Sequence, residues 1–563
     1  MQMSVWLKLG VYVVLVLGCA PVLGFLLARV LDREHTWISR PLAALEKGIY
    51  RICGVDPSAE MSWKEYAGSL IGFHVLGFLF LLTLLLAQGW LPLNPQQLAS
   101  VPLWLAVETA ASFVTNTNWQ AYSGESTLSY LTQMLGLTVQ NFLSAAVGIA
   151  VLLALTRGLT RSATQNLGNF WVDLTRSVLY VLLPMSFVIA LVLVSQGVIQ
   201  NLSPYVTAKT LEGSAQLLPM GPAASQVAIK QLGTNGGGFF GANSTHPFEN
   251  PTPLSNWVEM VAILLLPAGL VDAFGRLLRR RRHAWSLMAA MMMIFVLTAG
   301  FALYAEYQPN PVLHGAPFLE GKETRVGLAD SVIWGLATTA ASNGSVNAMH
   351  DSFSPLAGGF ALLNILLGEV VFGGVGAGLY GMVLFVVITV FIAGLMVGRT
   401  PEYLGKKIES KEVRMAAVGI LLPSALILVL SALACLVPAG LSRLGNGGPH
   451  GLTEILYAFA SGAGNNGSAF GGLSANTTFY HVMMSIAMVG GRFGVLLPVL
   501  ALAGSLVVKR SAPASAGTFP TDGPLFVLLL ISVVLIVGAL TFLPALCLGP
   551  IVEHGLMMRG RTF

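Results

Sequence analysis

The chain carries four short strings of small polar residues: Thr115-Asn116-Thr117-Asn118, Thr234-Asn235-Gly236-Gly237-Gly238, Ser342-Asn343-Gly344-Ser345 and Asn465-Asn466-Gly467-Ser468. Their central asparagines, Asn116, Asn235, Asn343 and Asn466, stand 119, 108 and 123 residues apart. Residues of these types suit one kind of chemistry, the replacement of a cation's water by protein oxygens. A dehydrated monovalent cation such as potassium needs an oxygen cage, and rings of backbone carbonyls from four loops can supply it. Carbonyls turn toward one axis only where the backbone takes conformations that most residues resist. Gly reaches positive φ freely, and Asn tolerates it better than most. The candidate filter residues are therefore Thr115, Asn116 and Thr117; Thr234, Asn235, Gly236 and Gly237; Ser342, Asn343, Gly344 and Ser345; and Asn465, Asn466, Gly467 and Ser468. The hydroxyls of Thr117, Ser345 and Ser468 either add ligands or bind the backbone behind the filter. No acid stands inside the strings, which favours a monovalent ion, because calcium sites use several carboxylates. One such string would read as an ordinary turn; four at quasi-regular spacing read as a repeated unit.

The elements that must hold these strings are membrane segments. Of the 563 residues 55% are hydrophobic and only 10% charged, against about 25% charged in soluble domains. Apolar runs near bilayer length recur from end to end: Val11–Leu31, Ile71–Ala87, Val178–Val198, Met288–Tyr304, Val383–Val397 and Phe526–Leu548. The first has only Lys8 before it and no clear small-residue cleavage site after it, so it is expected as a retained helix. Three of the strings follow apolar stretches too short to cross a bilayer, Val107–Val114, Ser331–Ala341 and Ile455–Ala460; the more polar Ala223–Leu232 precedes the other. A helix of about ten residues spans roughly 15 Å, half the hydrocarbon core, as a re-entrant pore helix would. The irregular chain behind it is tolerated at that depth only where it is buried or lines a polar cavity.

The net charge of +5 is distributed in alternation. Six basic residues fall in Arg29–Lys64, three in Arg157–Arg176, five in Arg276–Arg282, five in Arg399–Arg414 and two at Lys509-Arg510. The intervening loops, which carry the four strings, are nearly free of them. This is the positive-inside pattern, and it makes nucleic-acid binding a poor reading of Arg279–Arg282. The four cysteines are scattered, with neither metal nor disulfide spacing.

Ionisable residues within the spans are functional candidates by default. Glu369 lies in the glycine-rich Asn364–Gly378, and Arg492 in Gly490-Gly491-Arg492-Phe493-Gly494. Both glycine clusters are expected to weaken or break their helices, with Glu369 and Arg492 facing a watery vestibule below the filter. Arg399 is either a gate-like positive charge or simply the first residue of a basic loop. Glu125, Glu249 and Asp351 follow three of the strings, where they either attract cations to the mouth or are solvated loop residues. His350 beside Asp351 is the histidine pairing of note. No nucleotide-binding loop is present, since Gly405-Lys406-Lys407 lacks the leading glycine and the hydroxyl residue. An Asp-Lys-Thr-Gly phosphorylation motif is also missing, so no catalytic residue is assigned and any ATP hydrolysis belongs to another chain.

Five longer strings carry a family resemblance: NTNWQAYSGE at 116–125, TNGGGFFGANSTHPFEN at 234–250, NGSVNAMHD at 343–351, GNNGSAFGG at 464–472 and GRTPEYLGKK at 398–407. The chain resembles the potassium-binding subunit of Kdp-type potassium-transporting ATPases, a family related to four-repeat potassium transporters. The resemblance implies an all-α polytopic fold of about ten transmembrane helices: four helix–pore loop–helix units and one extra helix at each end. The expected divisions are 1–31, 66–157, 170–279, 284–399, 413–508 and 523–549. It also implies an outward N-terminus and a bacterial inner-membrane complex with a P-type ATPase catalytic subunit, a single-span accessory subunit and a small hydrophobic peptide. Potassium is then the transported ligand, bound at the filter, and no cofactor is expected. The alternative reading is an autonomous four-repeat potassium channel or secondary transporter; a purely structural subunit would tolerate replacement of Gly236 or Gly344.

Overall fold

The computed structural model describes residues 3–32, 39–314, 319–396, 398, 400–513 and 518–562. Among these, ten helices are long and apolar enough to cross a membrane: Met3–Leu31, Trp63–Trp90, Thr132–Thr160, Phe170–Ser195, Pro253–Leu277, Arg281–Leu313, Ala377–Met396, Ser410–Leu436, Thr478–Val507 and Pro524–Met557. The chain is therefore a multi-pass membrane protein. Between successive spans lie four shorter helices, Leu103–Val114, Ala223–Leu232, Leu328–Ala340 and Gly448–Gly464, here called the first to fourth pore helices. Each is flanked by two spans, and one further span stands at each end of the chain.

Apolar contact with lipid is as favourable as apolar contact with protein, so close packing by small residues holds such bundles together. The N-terminal span shows this: a Cβ at its Gly24 would lie 2.7 Å from Asp272 Cβ of Pro253–Leu277. Tyr12 of the same span donates to the Met260 carbonyl at 3.0 Å. The glycine cluster around Arg492 works in the same way, and here the sequence expectation is corrected. Thr478–Val507 runs unbroken through Gly490, Gly491 and Gly494. The absent Cβ atoms admit neighbours: one at Gly491 would lie 2.7 Å from the Ala463 carbonyl carbon, and one at Gly494 2.9 Å from Leu422 Cδ2.

The other glycine cluster does break its helix. The second span of the third repeat is split into Pro355–Leu366 and Ala377–Met396. Gly368, Glu369, Phe372, Gly373 and Gly376 all take positive φ between the two, and from Glu369 to Gly376 the irregular backbone is buried as membrane depth demands.

On the basic side, ion pairs and short elements tie the spans. Arg157 donates to Asp173 through both terminal guanidinium nitrogens, Nη1 and Nη2, at 2.5 and 2.8 Å. In the 400–407 stretch, Glu402–Tyr403 pairs tightly with Lys406–Lys407. Its buried Lys406 donates to the carbonyls of Arg161 at 2.6 Å and Lys509 at 2.7 Å, joining three basic loops. Ser39–Cys53, inside the first basic loop, is an additional helix that the sequence reading did not anticipate. The N-terminal end of the first span lies on the opposite side, with the pore loops, where Lys8 pairs with Asp330 at 2.6 Å.

Candidate ion-selecting site

Each pore helix ends in the same way, which sets the true register of the repeat. The amide of the fifth residue past a given helical carbonyl turns back to it: Thr117 to Ser112 at 3.0 Å, Asn235 to Lys230 at 2.9 Å, Asn343 to Thr338 at 3.1 Å and Asn466 to Ser461 at 2.8 Å. The residue before each of these has positive φ, at 66° for Asn116, 46° for Thr234, 51° for Ser342 and 57° for Asn465. So does the residue after, at 58° for Asn118, 64° for Gly236, 90° for Gly344 and 92° for Gly467. The middle residue is not among those with positive φ. Alternating hands of this kind put consecutive carbonyls on one side of a loop, as a carbonyl-lined filter requires.

Alignment by asparagine is therefore off by one residue in the first repeat. The equivalent of Asn235, Asn343 and Asn466 is Thr117, not Asn116. Asn118 takes the place that glycine holds in the other three, which Asn can do because it tolerates left-handed backbone. Thr115 falls one position too early: its hydroxyl lies against the Ala111 carbonyl and Thr117 Oγ1, both at 2.8 Å, behind the loop.

The four loops close into a ring in chain order. Between the first and second, Asn235 Nδ2 donates to Asn116 Oδ1 at 2.6 Å, and Asn116 Nδ2 to the Thr234 carbonyl at 3.0 Å. Second and third meet through Asn343 Nδ2 and the Lys230 carbonyl at 3.1 Å, with Gly236 so close that a Cβ would lie 2.7 Å from Gly344 Cα. Third and fourth meet through Ser342 Oγ and the Asn465 carbonyl at 2.8 Å, and through Asn466 Nδ2 and the Thr338 carbonyl at 3.1 Å. The fourth returns to the first, where Asn465 Nδ2 donates to Thr117 Oγ1 at 2.9 Å. The negative, C-terminal ends of all four pore helices converge on this ring.

Residues 10–555 match the family described as potassium-transporting ATPase A subunit. The chain belongs to this family. It is 57% identical over 546 residues to the potassium-transporting ATPase potassium-binding subunit of Pseudomonas aeruginosa, covering 96% of this chain and 97% of that one. The like-named proteins of Methylorubrum extorquens and Leptospira interrogans are 56% identical over 567 residues and 55% over 562, covering 99% or more of each chain. The crystal structure of the potassium transporter TrkH from Vibrio parahaemolyticus shares the fold at a TM-score of 0.51 and 13% identity, covering 88% of this chain and 98% of that one.

In this member of the family, hydroxyls of the ring loops hold them from behind. Ser345 Oγ donates to Gln231 Oε1 at 2.8 Å, and Ser468 Oγ lies 2.8 Å from the Tyr457 hydroxyl. The carbonyl of Ser345 accepts from Trp334 Nε1 at 3.0 Å. Gly237 lies beside Asn118, with φ of 72°.

Directly beneath the ring sits the broken span. Val375 donates its amide to Thr234 Oγ1 at 2.9 Å, and Gly373 to the Ala340 carbonyl at 2.8 Å. A cavity of about 80 Å³ lies alongside, lined by Asn116, Ser342 and Asn465 of the ring together with Glu369, Arg492 and Tyr380. One water needs about 10–15 Å³ of such space, so the cavity has room for a cation together with several waters. Glu369 and Arg492 both line this cavity, yet form no ion pair with one another. The Asn466 amide and the Ser342 backbone face Glu369, but neither carboxylate oxygen completes a hydrogen bond. Arg492 Nη2 donates to the Ser144 carbonyl at 3.0 Å. Arg399 lies outside the described residues.

The three acids after the strings each brace their loops, and only Glu249 is wholly buried. Glu249 is fully buried and ion-paired with Lys230 of the second pore helix, and it accepts the Phe240 amide at 2.8 Å. Glu125 accepts the Gly241 amide at 2.7 Å. Asp351 pairs with His450 at 2.8 Å, whose other nitrogen meets Glu553 at 2.8 Å. Burial alone would lower the His450 pKa, but hydrogen bonds to Asp351 and Glu553 override it and raise it to about 10. His350 is elsewhere engaged, with the Tyr457 hydroxyl at 2.8 Å. Sequence reasoning missed Lys230 and Asn118 as site residues. For Lys230 a signal existed: a cation one turn before a filter string, in a re-entrant segment.

Proposed function

We propose that this chain selects potassium at the four-loop ring and passes it through the membrane as the ion-translocating subunit of an ATP-driven potassium importer. The observation that carries this reading is the closure of four loops, each with alternating backbone hand, into one hydrogen-bonded ring. Carbonyl oxygens of the ring replace the ion's water, and the four converging pore-helix ends favour positive charge there. The pore units run over 66–157, 170–279, 284–399 and 413–508, with extra spans at 1–31 and 523–549. A potassium ion leaving the ring enters the cavity beside the broken span, where Glu369 offers counter-charge and Arg492 a positive wall.

Hydrolysis belongs to a partner, because no nucleotide or phosphorylation motif stands in this sequence. The partners in this reading are a P-type catalytic subunit, a single-span accessory subunit and a small hydrophobic peptide. The complex sits in a bacterial inner membrane, with the basic loops inward and the N-terminus outward, in keeping with the positive-inside rule.

The test is potassium-stimulated ATP hydrolysis by the co-purified complex, wild type against Gly236→Ser. Stimulation at low potassium in the wild type, with the variant needing far more or accepting rubidium and sodium, supports the reading. Conduction by the chain alone in liposomes, with no ATPase co-purifying, replaces it with an autonomous channel.

A further inference from the structure

On the side of the basic loops, a cavity of about 920 Å³ is lined by Arg279, Arg280, Arg281 and Arg282, with Glu402 and Asp522 as its acids. Four guanidinium groups thus face two carboxylates. Arg281 is committed, because Asp272 accepts from it at 2.9 Å, from Arg276 at 2.5 Å and from Trp285 Nε1 at 3.1 Å. Glu402 already accepts from Thr518 Oγ1 at 3.1 Å. Arg279, Arg280 and Arg282 are exposed and make no ion pair among the described residues. A basic loop obeying the positive-inside rule needs arginines near the membrane, but it does not need a cavity to hold them.

The cavity continues into the membrane layer. Arg282 and Asp522 also begin a second, apolar groove between Arg281–Glu306 and Pro524–Leu546, whose walls are Trp285, Ala289, Met293, Val527 and Leu528. Positions 282, 285, 289 and 293 form one stripe of a helix. From Arg282 to Met293 the rise is roughly 16 Å at 1.5 Å per residue, close to one leaflet of a hydrocarbon core about 30 Å thick. Met293 is 43% exposed and Leu528 57% exposed, so the groove is open toward the acyl chains.

We propose that this combined site binds one acidic phospholipid, its phosphate in the arginine cavity and one acyl chain in the groove. The charge selects the headgroup: an anion pairs with Arg280 and Arg282, whereas a zwitterionic headgroup brings its own ammonium and gains less. Basic pockets between spans on the positive side have the chemistry that recognises such headgroups. The leaflet-length groove distinguishes a lipid from a free anion, which has no use for apolar walls.

The full-length chain, as purified from membranes in detergent, is titrated with dioleoyl phosphatidylglycerol or dioleoyl phosphatidylcholine, and bound lipid is counted by native mass spectrometry. Wild type retains one phosphatidylglycerol tightly and discriminates against phosphatidylcholine. Arg280→Gln/Arg282→Gln binds it roughly 30-fold more weakly. Ala289→Trp, which fills the exposed groove and leaves every arginine in place, loses retention as well. Lys411→Gln/Arg414→Gln, at the basic end of the Ser410–Leu436 span, matches wild type. Equal retention by wild type and the arginine variant overturns the site. Retention unchanged in Ala289→Trp, with inorganic phosphate competing as well as the lipid, overturns the lipid assignment in favour of a free anion.

Discussion

Asn118 and Gly237 face one another where the first loop meets the second, and a Cβ at Gly237 would lie 3.3 Å from Asn118 Cβ. At the two junctions between the second, third and fourth loops, glycine meets glycine instead: a Cβ at Gly344 would lie 2.9 Å from Gly467 Cα. The ring is thus fourfold in backbone but not in side chain. One quarter carries an asparagine, anchored by its Nδ2 to Asn141 Oδ1 at 2.5 Å.

That asymmetry separates two substitutions at one position. Asn118→Gly keeps access to φ of 58° and loses only the Asn141 anchor, so potassium affinity falls by less than about tenfold, the equivalent of 1.4 kcal/mol. Asn118→Val places a β-branched side chain where positive φ is a genuine outlier, and selectivity against sodium collapses. Ion dependence of ATP hydrolysis by the complex measures both; equal behaviour of the two variants would show that backbone hand at this position is irrelevant.

Lys230 and Glu249 are both wholly inaccessible to solvent, directly behind the second loop. Removing one partner of such a pair costs about 3–5 kcal/mol because a buried charge is left uncompensated. Lys230→Met therefore lowers the thermal midpoint sharply, while Lys230→Met/Glu249→Gln recovers most of the loss. A double variant no more stable than the single one would sink this explanation.

The His450 pair sets a pH dependence. Its pKa is raised from 6.5 to about 10, so its stabilising contribution is complete below pH 6.5 and is lost as pH rises through 10. The thermal midpoint of the wild type should fall across that alkaline window, and that of His450→Gln should be lower at pH 6.5 and flatter above it. Parallel curves for the two proteins would exclude the histidine as the titrating group.

How much of this was legible follows from what lipid enforces. Span lengths and charge alternation are imposed on the sequence by the bilayer, so the polytopic fold and the four pore loops could be read directly. The register could not, because asparagine is the more visible residue, whereas the backbone sorts positions by their hand. Asn116 was thus matched with Asn235 in place of Thr117. Nor does composition distinguish a glycine that breaks a helix, such as Gly373, from one that admits a neighbour, such as Gly491. The bracing role of Glu249 was hidden for a related reason: it meets Lys230 19 positions away in the chain, a pairing visible only in three dimensions.

A further prediction concerns the cavity beneath the ring. Glu369→Gln keeps the shape and removes the charge, so potassium still binds the ring with near-normal affinity while turnover of the complex falls about tenfold or more, a loss of roughly 1.4 kcal/mol or more. Steady-state turnover against potassium concentration separates the two effects; a change in apparent affinity alone would place Glu369 with the ring instead.

A potassium filter built from all four loops is tested most directly at the ring positions Gly236, Gly344 and Gly467 together. Each is changed to serine in turn, and apparent affinities for potassium, rubidium and sodium are measured through ATP hydrolysis by the assembled complex. All three variants should lose potassium affinity by about tenfold or more and discriminate less against the other two ions. A folded, assembled variant with wild-type affinity and selectivity at any one of the three would contradict a filter built from all four loops.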